Sequence, residues 1–257
     1  MKIAVVLSAG GLRGAAHVGV LRELVRQGVP IHAIVGVSAG AIVAAYYAAV
    51  GLGFEELIAD AERFRGRHLL AHSLNVQLGY RLEAQLGRFC GVIPERLGQL
   101  ASASFDRLHH GVERLGIVCH DLTNGRPRYF STGSDAGVSL ADAVLASASI
   151  PRLFPAVPVC CDGEPIRLTD GGVSDGVPLA FARAGLGATH VVVSDCRWIG
   201  RGQPPDDTTV WVRPSMPETG TLWSPARGLI SAVRDGAAAL TPQALERISN
   251  WFALNSA

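Results

Sequence analysis

The sequence predicts an α/β fold of three layers, α/β/α, with helices on both faces of a mostly parallel central sheet. Three observations predict it. Short runs rich in valine and isoleucine recur along the chain, stretches of helical periodicity separate them, and glycines mark the junctions where a strand gives way to a helix. Strands buried on both faces read as unbroken apolar runs, and strand alternating with helix implies parallel pairing. In such sheets the reactive groups gather beyond the carboxyl ends of the strands.

The elements follow in order. Ile3 to Leu7 is the first run. Lys2 ahead of it gives Met1 to Ala9 the look of a signal peptide, but Gly10, Gly11 and Arg13 interrupt it early, so a buried strand is expected. Ala15 to Gln27 places Val18, Leu21, Leu24 and Val25 on one helical face, and Gly28 stops the helix. Ile31 to Val37 is the second strand, and the alanine-rich, charge-free Ala41 to Val50 suits a helix lying on the sheet. The stretch from Gln27 to Phe54 is long enough on paper to cross a membrane. Its interior, Gly36-Val37-Ser38-Ala39-Gly40, reads instead as strand, tight turn and helix in a soluble core.

Between Phe54 and His110 the pattern loosens into short amphipathic pieces, with Arg63, Arg65, Arg67 and His68 close to Leu69, Leu70, Leu74 and Leu78. Residues 54–110 read either as a helical cap over a pocket or as helices with a solvated arginine face. Gly116 to His120 and Thr189 to Ser194 supply further strands, and Thr209 to Val212 a weaker one. Gly200 to Pro225, with prolines at 204, 205, 214, 217 and 225, reads as an irregular crossing. After it Leu229, Val233, Leu240, Ile248, Trp251 and Phe252 recur at roughly helical spacing. The expected organisation is a principal domain over 1–199, a connection over 200–225, and amphipathic helices over 226–257 packed on the same domain. A partner protein or a bilayer surface is the other use for such helices.

Composition narrows the function. The 257 residues are 48% hydrophobic, enough for one sizeable core, and only 18% charged, which argues against disorder. Twenty-three basic against 22 acidic residues leave a formal charge of +1, so no field favours a nucleic-acid partner. Lys2 is the only lysine, which excludes an internal Walker phosphate loop and Schiff-base or Ser-Lys chemistry. Cys90, Cys119, Cys160, Cys161 and Cys196 are odd in number and lack C-x-x-C spacing; a reducing cytosol and a role as small buried hydrophobes fit them.

Four short stretches carry the chemistry. Ser8 to Gly14 contains Gly10, Gly11, Arg13 and Gly14 directly after the first strand. Glycine amides exposed at a helix start can receive an anion or a developing oxyanion. As a dinucleotide fingerprint it reads A-x-G-x-x-G, and the acid needed at the end of the second strand is missing, so the nucleotide-binding oxidoreductase reading is weak. The second stretch is G-x-S-x-G from Gly36 to Gly40, a strained turn projecting Ser38 at the positive end of the following helix. A serine needs a base. Of the histidines after it, His68, His72, His109, His110, His120 and His190, only His190 comes late, and it opens a strand; His120 ends one. A Ser-His-Asp triad of α/β-hydrolase type therefore stands as the alternative. The third stretch, Leu168 to Asp175, offers Asp170 followed by Gly171 and Gly172, a carboxylate able to take a proton directly from a hydroxyl. The fourth, Ala146 to Pro155, has small residues before a Pro-bounded apolar loop suited to lining a pocket.

In this order the four stretches resemble the patatin-like phospholipase family, over most of Lys2 to about Asp195. The resemblance implies Ser38 as nucleophile, Asp170 as its base, Gly10 and Gly11 as oxyanion donors, and Arg13 as a support of that loop. Gly14, Gly36, Gly40, Gly171 and Gly172 would support these turns. It also implies hydrolysis of acyl esters of phospholipids, lysophospholipids or neutral lipids without a metal. No cofactor is expected, and the cysteines and terminal helices point to a cytoplasmic protein able to make peripheral contact with a membrane. Two positions depart from the pattern. Alanine stands at 9 where the family usually has glycine, which would weaken the oxyanion loop if φ > 0 were needed there. Glycine stands at 176 where an asparagine is common, removing a side chain that would brace the Asp170 loop. An idle, lipid-binding protein is the alternative that Ala9 motivates.

Overall fold

The computed structural model describes residues 1–77, 90–134, 136–198, 206–215 and 225–254. Leu78 and most of the expected crossing at 200–225, including Pro204, Pro205 and Pro217, lie outside the described residues. In chain order the elements are β1 (Ile3–Leu7), α1 (Ala16–Arg26), β2 (Ala33–Val37), α2 (Ala39–Ala45), α3 (Phe54–Arg63), α4 (Gly66–Gln77), α5 (Ile93–Ala101), β3 (Arg114–Asp121), β4 (Arg126–Ser131), α6 (Leu140–Ser147), β5 (Val157–Cys161), β6 (Glu164–Asp170), α7 (Leu179–Ala184), β7 (His190–Ser194), β8 (Thr209–Val212), α8 (Pro225–Ala238) and α9 (Pro242–Leu254). Short 3-10 turns at Gly11–Ala15 and Gly171–Val173 follow β1 and β6, and α2 ends in a π turn at Tyr46–Val50.

The parallel core of the sheet runs β3-β2-β1-β7-β8, and β4, β5 and β6 add antiparallel pairings around β3. The apolar runs make this order stable because successive side chains leave a strand on opposite faces. On β1, Ile3, Val5 and Leu7 join one core with Leu21 and Leu24 of α1, Ala44 of α2 and Leu140 of α6. Ala4 and Val6 point the other way and meet Val35, Val193 and Ala182 of α7. Helices thus cover both faces of a mostly parallel sheet.

The C-terminal helices make close contacts with this body. α8 crosses α1 at glycines: a Cβ on Gly19 would lie 1.9 Å from the Val233 carbonyl oxygen, and one on Gly236 would lie 2.0 Å from that of Ala16. On α9, Ile248 and Trp251 are buried, and the Trp251 indole N–H donates to the Asp207 carbonyl at 2.7 Å. Among the described residues no helix is long and apolar enough to cross a membrane.

One feature of the pairing positions the site. Val118 of β3 lies between Val37 of β2 and Tyr129 of β4, whereas the next residue, Cys119, lies between Asp170 of β6 and Arg128 of β4. A strand has two edges, and β4 occupies one throughout, so β2 and β6 share the other. β2 runs parallel to β3 and β6 antiparallel, and their carboxyl ends therefore meet head to head at the Val118–Cys119 step. Ser38 follows directly on β2, and Asp170 is the last residue of β6.

Candidate active site

Ser38 occupies the sharp turn between β2 and α2 at φ 55°, ψ −123°, a backbone conformation that L residues rarely adopt. Such strain is of order 1–3 kcal/mol and persists only where the surroundings enforce it. Here small residues permit the turn: a Cβ on Gly40 would lie 2.2 Å from the Leu7 carbonyl oxygen, and one on Gly36 would lie 2.4 Å from that of Gly40. The turn is also held by hydrogen bonds. The buried Ser147 hydroxyl accepts from the Ser38 N–H at 2.9 Å and donates to the Val118 carbonyl at 2.6 Å.

The Ser38 hydroxyl donates to Asp170 Oδ2 at 2.6 Å, across 132 residues of sequence. The other carboxylate oxygen, Oδ1, accepts from the Gly172 N–H at 2.8 Å. Both side chains are buried, and burial raises the Asp170 carboxyl above the usual aspartate range, against the opposing pull of its bonds from Ser38 and Gly172. A carboxylate destabilised in this way is a stronger base than one in water. Asp170 is anchored through its backbone as well: its N–H donates to the Ser149 carbonyl at 3.1 Å, which also accepts from the Thr169 hydroxyl at 2.7 Å.

The glycine loop touches both partners. A Cβ on Gly14 would lie 2.4 Å from that of Ala39, the residue after Ser38, and one on Gly172 would lie 3.0 Å from that of Ala9. Gly171 is pressed between the Val118 carbonyl and Val37. Gly11 takes the left-handed conformation, φ 54°, that its position demands. The amides of Gly10 and Gly11 donate to no acceptor among the described residues. Arg13 ties the loop to the segment after β7, its Nε donating to the Cys196 carbonyl at 3.1 Å while its guanidinium lies 4.5 Å over the Trp198 ring.

The two departures in the sequence meet each other here. Ala9 is not among the positive-φ residues, so its methyl adds no backbone strain, and its N–H donates to the Gly176 carbonyl at 3.1 Å. The turn after Asp170 is braced without a side chain at 176, by bonds from the Ser174 and Asp175 amides to the Gly171 carbonyl.

No histidine is hydrogen-bonded to Ser38 or Asp170 among the described residues. His190 begins β7, at the opposite end of the sheet, and His120 lies in β3 opposite Thr169. Sequence reasoning passed over Ser8, His17 and Ser147, which are fully buried polar residues around these loops. The usable signal for His17 was its place on the apolar face of α1, where a histidine must find internal partners.

A family model described as "Patatin-like phospholipase" matches residues 5–183. Patatin-like phospholipase domain-containing protein 6 of Homo sapiens is 31% identical over 199 residues, 75% of this chain and 13% of that protein. Lysophospholipase nte1 of Aspergillus fumigatus is 29% identical over 206 residues, covering 79% and 12%. The chain thus spans about an eighth of the length of these curated relatives. The crystal structure of VipD from Legionella pneumophila superposes on 93% of this chain and 66% of its own with a TM-score of 0.52 at 15% identity, a likeness of fold.

Proposed function

The chain belongs to the patatin-like phospholipase family, and from that premise we propose that it is a serine acyl hydrolase acting on phospholipid or lysophospholipid esters through Ser38 and Asp170. The observation that carries this reading is the 2.6 Å bond between the two side chains at a strained turn. Asp170 takes the Ser38 proton as Oγ attacks the ester carbonyl. The oxyanion settles on the amides of Gly10 and Gly11, the lysolipid or glycerol alcohol leaves with the proton, and water cleaves the acyl-serine by the same route.

Lipid as the substrate class is supported by the names of the relatives and by the surroundings of the dyad. Ile42, one turn after Ser38, Val173, just after the Asp170 turn, and Ile150, next to Ser149, are all exposed apolar side chains. The cap reading of 54–110 is supported by α4, where the Ser73 hydroxyl donates to the Leu153 carbonyl at 2.6 Å and the His72 ring lies 5.9 Å from that of Phe154. Five free thiols, four of them buried, suit a reducing cytoplasm.

The test is incubation of wild-type, Ser38→Ala and Asp170→Asn proteins with a panel of phospholipids, lysophospholipids and neutral esters, with mass analysis of released acids. Wild-type should release fatty acid and both variants should lose turnover while remaining folded. Undiminished turnover in Ser38→Ala would overturn the nucleophile, and undiminished turnover in Asp170→Asn would return the base to a histidine.

A further inference from the structure

Beneath the glycine loop lies a chain of buried polar groups that the proposed reaction does not use directly. His17, in the first turn of α1, and Ser8, just past β1, are both 0% exposed. His17 Nε2 is 2.9 Å from the Ser8 carbonyl oxygen and Nδ1 is 2.8 Å from the Ser194 hydroxyl. A carbonyl only accepts, so Nε2 carries the hydrogen and Nδ1 accepts from Ser194. The Ser8 hydroxyl in turn accepts from the Cys196 N–H at 2.8 Å and donates to the Ala9 carbonyl at 2.9 Å.

Peptide planarity converts these bonds into a direction. In a trans peptide the C=O of one residue and the N–H of the next point opposite ways. The Ala9 carbonyl is held by the Ser8 hydroxyl, so the Gly10 N–H is turned the other way, with no acceptor of its own. The preceding peptide is clamped at both ends, its Ser8 carbonyl by His17 and its Ala9 N–H by the Gly176 carbonyl. Resting on the acyl-hydrolase reading, we propose that Ser8 and His17 are positioning residues that aim the Gly10 amide at the oxyanion. Ser8 sets the orientation of the Ala9–Gly10 peptide, and His17, whose Nε2–H is held on the Ser8 carbonyl while Ser194 steadies the other side of its ring, keeps the Ser8–Ala9 peptide from turning.

The experiment compares an oxygen ester with the matching thiono ester, in which sulfur replaces the carbonyl oxygen. A sulfur anion is a weak hydrogen-bond acceptor, so a well-aimed donor favours the oxygen substrate and a misdirected one loses that preference. Ser8→Ala should lower kcat on the oxygen ester by about tenfold or more, toward the roughly 10²-fold effect of a lost oxyanion donor. Its KM should stay within about twofold and the thiono rate should fall much less, because what is lost is specific to oxyanion stabilisation. His17→Gln, which retains a donor for the Ser8 carbonyl, should keep most of the oxygen preference, and His17→Phe, which fills the space without one, should lose it. Thermal melting confirms that each variant is folded, and the Gln and Phe pair carries the test if Ser8→Ala is not. Equal losses on both esters, no loss, or equal behaviour of the His17 variants would overturn the proposal while leaving the hydrolase standing. A wild-type protein that hydrolyses no ester would remove the hydrolase reading and this proposal with it.

Discussion

Replacing Ser147 with alanine should damage both stability and catalysis, and the size of each loss can be worked from its two bonds. The hydroxyl is fully buried between the Ser38 N–H and the Val118 carbonyl, at 2.9 and 2.6 Å. Removing it leaves a buried amide without an acceptor, which costs about 1–3 kcal/mol, while the carbonyl keeps a second lone pair and loses less. The sum is about 2–3 kcal/mol, equivalent to a melting temperature lower by roughly 5–10 °C for a chain of this size. That amount is comparable with the roughly 1–3 kcal/mol of strain in a turn such as the one at Ser38. Once the brace is gone the turn can relax toward ordinary φ, carrying Oγ away from Asp170. Ester turnover should therefore fall by more than about tenfold, since small misplacement of a reacting group is costly. Guanidinium unfolding measures the first effect and a soluble ester assay the second. A stability change below about 0.5 kcal/mol, within the usual range for an exposed site, together with normal turnover, would refute the assignment of Ser147 as the brace of the nucleophile.

Four further outcomes can be checked alongside it. Asp170→Asn should raise the melting temperature at neutral pH: a carboxyl whose folded pKa is raised by burial supports the fold while protonated and loses that contribution as pH rises through the folded pKa. For the same reason wild-type turnover should rise with pH through a midpoint above that of an ordinary aspartate, and a midpoint at or below the ordinary value would contradict this. His17, whose pKa burial lowers to about 4, is neutral in the fold but protonates near 6.5 when unfolded, so stability should decline as pH falls from about 6.5 to about 4. The full contribution is about 3 kcal/mol; His17→Gln should flatten that part of a denaturant-derived stability profile, and an unchanged slope would count against it. Gly236→Val should destabilise by about 2 kcal/mol or more, as overpacking does, because any Cβ there would lie 2.0 Å from the Ala16 carbonyl oxygen; an unshifted unfolding midpoint would place α8 elsewhere.

The parts of this fold that were legible from sequence are those buried on both faces. Ile3–Leu7, Ala33–Val37 and His190–Ser194 have no room for polar side chains except at their ends, so they stand out as apolar runs. β4, β5 and β6 were not legible as a set because they pair antiparallel near the sheet edge. There Arg126, Pro158, Cys160, Glu164, Pro165 and Arg167 face water and break any apolar pattern. The turns at Ser38 and Asp170 stand out because closely packed turns impose small neighbours, and small neighbours are visible. The partners of those turns left no such mark. Ser147 looked like one more small residue before a pocket-lining loop, and Ser8 like part of a glycine turn. Their value comes from groups 109 and 188 residues away, which no local pattern encodes.

The head-to-head meeting of β2 and β6 explains how Ser38 and Asp170, the proposed dyad, come into direct contact without a histidine between them. Two strands that abut on one edge of β3 cannot slide past each other, since each is registered to β3 by its own hydrogen bonds. The segment from Ser147 to Ser149 then seals the junction from the side, its first residue bonding the Ser38 amide and its last accepting from the Asp170 amide. The distance between the Ser38 hydroxyl and the Asp170 carboxylate is therefore set by three neighbouring residues and one strand, with Ser147 and Ser149 buried. In a triad, the imidazole spans the gap between a serine and an acid on separated loops. Here the sheet has already closed that gap, and a carboxylate raised by burial is placed where it can take the proton itself.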